Sequence, residues 1–245
     1  MAENKKLRIL CIHGYRQNAK TFREKTGALR KLTKKHADFD YITAPHRVPP
    51  GNMGSAAWAG LPAPDEKGSS CDTQTADPGE RGWWFSREDE YFKSTDYSDV
   101  SVGFEQSVDM LRKVLEKGNV ESCEQSDSFQ GYDGVLAFSQ GASLLSMLCL
   151  IQQKEQRKWF KFAILVAGFK SRSSKHSHHY QEKTSIPSLH VYGESDQIVS
   201  NEMSEELLQY FDNPKVWIHP GGHFVPATGP QKHMYVDFFK EMQKL

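Results

Sequence analysis

A chain of 245 residues with 38% hydrophobic content can bury a substantial core and falls in the size range of one α/β domain. Its 31 Lys and Arg balance 31 Asp and Glu, so no global basic field points to nucleic acid. Cys11, Cys71, Cys123 and Cys149 are scattered without a C-x-x-C, a spacing that gives neither a zinc cluster nor a disulfide framework.

The apolar run Leu7–Ile12 is too short for the core of a signal peptide, and no stretch approaches the length of a membrane-spanning helix. The expectation is an intracellular protein with reduced thiols, cytoplasmic or nuclear. The terminal Gln243-Lys244-Leu245 differs from the peroxisomal S-K-L.

In chain order, Leu7-Arg8-Ile9-Leu10-Cys11-Ile12 predicts a buried strand running into His13-Gly14. A helix follows, with Phe22, Leu29 and Leu32 on one side and many basic residues on the other. Phe39 to Thr43 makes a short strand, stopped by Pro45. Between Pro49 and Gly82 small residues and proline dominate, with Trp58 and Leu61 the main large apolar side chains. An irregular insertion at about residues 48–82 is therefore expected within a single domain covering 1–245.

Phe104, Val108, Leu111 and Leu115 mark a helix by their i, i+4, i+7, i+11 spacing, and polar residues 118–131 link it onward. A strand over Val135–Phe138, a helix over Gln140–Gln152 and a strand over Phe162–Ala167 come next. A basic, histidine-containing loop covers 170–185. A strand over Leu189–Tyr192, a helix around Glu202–Tyr210, a strand over Val216–Ile218 and a helix around Gln231–Met242 complete the chain. There is no internal repeat. Short apolar strands alternating with helices imply an α/β fold, a mostly parallel sheet with helices on both faces. Such sheets carry function at the carboxyl ends of their strands.

Four strand ends carry suitable chemistry. Ala137-Phe138-Ser139-Gln140-Gly141 has small residues two before and two after a serine. A tight strand-to-helix turn needs that pattern to hold a nucleophile clear of the backbone. Taken alone, a buried helix-capping serine fits equally. Gly193-Glu194-Ser195-Asp196 offers a carboxylate to orient an imidazole, with Asp196 better placed than Glu194 beyond the turn. His219-Pro220-Gly221-Gly222-His223 ends in a histidine on a glycine turn. His223 can act there as a base near neutral pH, and His219 is the weaker candidate. After the first strand, the backbone N–H of Tyr15 would join that of Gln140 in an oxyanion hole, with His13 orienting the loop. Each signal is weak singly. In combination the order Ser139…Asp196…His223 is that of α/β-hydrolases.

"LRILCIHGYRQNAKTFREKTGALRK", "RGWWF", "AFSQGA", "LHVYGESD" and "GGHFVP", in this order, resemble the FSH family of serine hydrolases over nearly the whole chain. The resemblance implies an α/β-hydrolase fold and carboxylic-ester hydrolysis, with longer alkyl esters preferred in a matching esterase. Its triad carries over to Ser139, Asp196 and His223. The expected chemistry is two-step acyl transfer without metal or organic cofactor. A thioesterase or peptidase using the same triad, and a non-catalytic binding module on the same fold, stand as alternatives.

The expected partner is a small-molecule or lipid-like ester, with no nucleic acid and no stable membrane anchor. Trp83, Trp84 and Phe224 are the candidate substrate-binding residues, although adjacent aromatics such as Trp83-Trp84-Phe85 more often pack against a core. Lys175-His176-Ser177-His178-His179 lacks a completing carboxylate or cysteine and is read as a solvated loop rather than a metal site. Cys149, mid-helix, is a core residue.

Overall fold

The computed structural model describes residues 5–49, 79–118, 131–228 and 233–245. Most of the predicted insertion, with Trp58, Leu61 and Cys71, lies outside them, as do Cys123 and much of the 118–131 linker. Six strands form one parallel sheet: β1 (Leu7–Ile12), β2 (Ala37–Ile42), β5 (Gly134–Phe138), β6 (Phe162–Val166), β7 (Ser188–Gly193) and β8 (Lys215–His219). Their order is β2-β1-β5-β6-β7-β8. The chain steps outward from β1 to β2 and then returns to the other side of β1 at β5. That reversal makes the gap between the ends of β1 and β5 a topological switch point, where open α/β sheets place their ligands.

Alternation along the strands supplies two cores. Leu10, Ile12, Val135 and Ala137 point into one, whereas Ile9, Cys11, Leu136 and Phe138 point into the other. The first is covered by α3 (Phe104–Lys117), α4 (Gln140–Lys154) and α5 (Asn201–Leu208). The second is covered by α1 (Ala19–Lys25), α2 (Gly27–Thr33) and α6 (His233–Met242). On α3 the predicted stripe Phe104, Val108, Leu111 and Leu115 is buried. Helix α4 is buried at every position from Gln140 to Gln152, wedged between β5, β6, β1 and a 3-10 turn. Its all-round apolar sequence reflects that central position.

Three elements depart from expectation. The single helix after β1 is two helices, because Thr26 turns its hydroxyl onto the Phe22 carbonyl and contacts the Tyr41 hydroxyl at 2.5 Å. The second strand begins earlier, at Ala37, where it pairs in register with Leu7. The two ends of the 48–82 segment meet: β3 (His46–Arg47) pairs antiparallel with β4 (Arg81–Gly82). Among the described residues, no helix is long and apolar enough to cross a membrane.

Candidate active site

At the end of β5, Ser139 has φ 53° and ψ −119°. That conformation is costly for a residue with a Cβ, on the order of 1–3 kcal/mol, and persists only where surrounding structure imposes it. The surroundings here are tight. A Cβ on Gly141 would lie 2.4 Å from the His13 carbonyl oxygen and 2.8 Å from that of Ile12. One on Gly14 would lie 2.9 Å from the Phe138 ring and 3.3 Å from the Ser139 Cβ. Ala137 is buried beneath the turn. The small residues of the motif thus let the β1 loop close on the elbow.

Two further loops converge on Ser139. His223 Nε2 lies 3.0 Å from Ser139 Oγ, and His223 Nδ1 lies 2.7 Å from Asp196 Oδ2. The Asp196 side chain is fully buried and the other carboxylate oxygen accepts the Ile198 and Val199 N–H groups at 2.8 and 2.9 Å. Burial pushes this carboxyl up, but the hydrogen bond and charge of His223 and the two backbone donors together hold it below the usual range. Backbone bonds fix the relative placing of acid and base. The Glu194 N–H donates to the His219 carbonyl at 2.8 Å and the Ser195 N–H to that of Gly221 at 3.1 Å. The Phe138 ring packs 4.8 Å from the imidazole of His223.

The competing candidates are placed elsewhere. Glu194 is exposed, while His219 is buried and accepts the Gly221 N–H at Nδ1. His13 is wholly buried: its Nε2 accepts the Ala44 N–H at 2.9 Å, which leaves the proton on Nδ1, 2.7 Å from the Gly14 carbonyl. Burial lowers its pKa to about 4, so it is neutral and orients the loop carrying Tyr15.

The apolar candidates divide. Trp83 and Trp84 are 0% and 1% exposed, Trp84 packed against Phe92, Phe104 and His176. Their rings belong to the core, which corrects their expected place on the wall of a substrate pocket. Phe224, beside His223 in the chain, is 49% exposed and retains an open face. The predicted solvated loop holds at Lys175, Ser177 and His178, which are exposed, and is corrected at His176. It folds into a 3-10 turn over Ser174–His179 in which His176 is buried between Ser101 at 2.6 Å and Ser171 at 2.7 Å. Among the described residues no cluster of His, Cys, Asp and Glu could hold a metal ion.

A serine in a strained elbow at a helix N-terminus, backed by an imidazole and a buried carboxylate, can be deprotonated as it attacks an electrophilic carbon. Sheet order and elbow define the class of the protein, an α/β-hydrolase. A family model described as serine hydrolase (FSH1) matches residues 1–235, and the chain belongs to that family. It is 42% identical to "Esterase OVCA2" of Danio rerio over 244 residues, 97% of this chain and 98% of that protein. It is 41% identical to "Esterase OVCA2" of Xenopus tropicalis over 239 residues, covering 97% and 94%. The carboxylesterase of Bacillus cereus has a similar fold, with a TM-score of 0.56 at 12% identity over 97% of this chain and 89% of that one. The protein is a serine hydrolase, and its relatives are named esterases.

Proposed function

We propose that the protein is a carboxylesterase acting on long alkyl esters through Ser139, His223, Asp196 and an acyl-enzyme intermediate. The observation that carries this reading is the unbroken contact from Ser139 Oγ through the imidazole to the buried carboxylate, 3.0 and 2.7 Å. Ser139 Oγ bonds to the ester carbonyl carbon as His223 Nε2 takes its proton. The carbonyl electron pair moves onto oxygen, held by the backbone N–H groups of Gln140 and Tyr15. Gln140 opens α4, whose first-turn N–H groups have no intrahelical acceptor and whose dipole favours negative charge. Collapse breaks the C–O bond to the alcohol, which leaves with the proton from His223. Water then repeats the sequence with His223 as base and releases the acid.

The open face of Phe224 next to His223 supports an apolar acyl site. Cytoplasmic location is part of the same proposal and agrees with free thiols at Cys11 and Cys149. The test compares the native protein with Ser139→Ala on a fluorophosphonate probe and on oxygen and sulfur esters of increasing acyl length. The variant should lose labelling and at least about 10³-fold in turnover while keeping its melting temperature. Undiminished hydrolysis by Ser139→Ala sinks the site assignment. Equal rates on short and long acyl chains sink the alkyl preference, and faster turnover of thioesters would reassign the leaving group.

A further inference from the structure

The oxyanion donors proposed above sit on different loops, one after β1 and one after β5. Register pairing joins these strands as far as Ile12 opposite Ala137. Beyond that pair the sheet no longer fixes the two loops relative to one another. A second set of bonds does so, and it runs through the side chain of Gln140. Gln140 Oε1 accepts the Trp83 N–H at 2.9 Å, and its Nε2 donates to the Trp84 carbonyl at 2.7 Å. A backbone N–H can only donate and a carbonyl only accept, so the orientation of the carboxamide is determined. Trp83 Nε1 in turn donates to the His13 carbonyl at 2.8 Å, and Ser107 Oγ braces the Trp83 carbonyl at 2.5 Å. His13 is held from its other side by Ala44. Gln140, Trp83, Ser107 and His13 are all buried to completion.

We infer that the Gln140 carboxamide is a positioning residue that clamps the elbow to the oxyanion loop through Trp83. The bonds close a circuit from Gln140 to Trp83, from Trp83 to His13, and back along the β1–β5 pairing to the elbow. Opening the circuit at Gln140 leaves the backbone N–H of this residue and that of Tyr15 without a common brace. Such donors act only within a narrow range around the developing oxygen, roughly 2.7–3.1 Å, and losing one costs about 10²–10³ in kcat. A displacement near 1 Å can cost about 10². The segment Arg81–Phe85 therefore matters through its backbone and one indole N–H, not through a substrate-facing aromatic surface.

The inference rests on the proposed Ser139 site, and the measurements separate the two. Gln140→Leu removes both bonds at similar volume. It should lower kcat about 10–100-fold with KM within about threefold, because binding of the ground state does not use the oxyanion contacts. Gln140→Glu tests the clamp without depending on the stability of that first variant. A neutral carboxyl can accept from Trp83 and donate to Trp84, as the carboxamide does, whereas a carboxylate faces the Trp84 carbonyl with negative charge. Burial raises carboxyl pKa values. The kcat of Gln140→Glu should therefore fall along an extra ionisation on the alkaline side that the native enzyme lacks. Purely structural packing would give a lower yield of folded protein with an unaltered pH profile. A folded Gln140→Leu within twofold of native kcat, or a Gln140→Glu profile superimposable on the native one, overturns the clamp. Undiminished turnover by Ser139→Ala instead overturns the site on which it rests.

Discussion

Asp196 illustrates how much one side chain can be asked to do. One carboxylate oxygen is committed to the Ile198 and Val199 N–H groups and the other faces His223 Nδ1. Asp196→Asn should fold normally, because the amide oxygen can keep the two backbone donors. The amide NH2 then lies where Oδ2 was, so the imidazole must turn an unprotonated Nδ1 toward it. That tautomer places the proton on Nε2, against Ser139 Oγ, and removes the proposed base. The expected result is a loss in kcat of about 10³–10⁴ with little change in KM or melting temperature. A loss below tenfold in steady-state kinetics would show that the carboxylate does not fix the tautomer. Ser139, Asp196 and His223 were legible as residues because each stands within a few positions of the end of a predicted strand with turn residues around it. Gln140 was legible only for its backbone. Nothing in S-Q-G announces that its side chain reaches a segment 57 positions away.

The elements that position these residues were readable where burial leaves a local pattern and less so where tertiary contacts override it. The central strands, covered on both faces, read as short unbroken apolar runs, and α3 carries an apolar stripe of helical period. The break at Thr26 depends on a partner in β2, and the β3–β4 pair depends on residues 36 or so positions apart, for example His46 opposite Gly82. Neither leaves a local pattern. The buried position of His176 depends likewise on Ser101, in a different loop. Gly141 belongs to the same scale, since it sets how close α4 comes to the β1 loop. Alanine at a helix position ordinarily gains about 1 kcal/mol over glycine. Here its Cβ would meet two carbonyl oxygens at 2.4 and 2.8 Å, and backbone cannot yield as a flexible side chain does. Overpacking of this kind costs about 1–3 kcal/mol or more, so the clash outweighs the propensity. Gly141→Ala should have a lower urea midpoint than the native protein; an increased midpoint would mean that the β1 loop withdraws without strain.

Across the whole molecule the sheet topology gathers the candidate site residues at the carboxyl ends of its strands while leaving several histidines inside the fold. His13, His176 and His190 are buried, and burial lowers their pKa values to about 4, about 3 and about 3, with neighbouring His179 and His178 adding to the shift at His176. His219 is shifted in the same direction, again chiefly by burial. An unfolded histidine titrates near ~6.5, so below that pH the unfolded chain takes up protons that the folded protein excludes. Stability is thus fully present above about pH 6.5 and is lost as the pH falls toward the folded values. Asp196, whose pKa is lowered from 3.8, acts in the same direction but in a more acidic window. At pH 5 each excluded proton costs about 2 kcal/mol of stability, so three histidines together remove about 6 kcal/mol. That is a large share of the roughly 5–15 kcal/mol that holds a typical domain folded. Urea denaturation at pH 7.5 and pH 5.0 should show a fall of this order. In His190→Gln the fall between the two conditions should shrink by about 2 kcal/mol, because one excluded proton is gone. Equal urea midpoints at both pH values would mean that the buried imidazoles accept protons within the native fold, with partners that neutralise them.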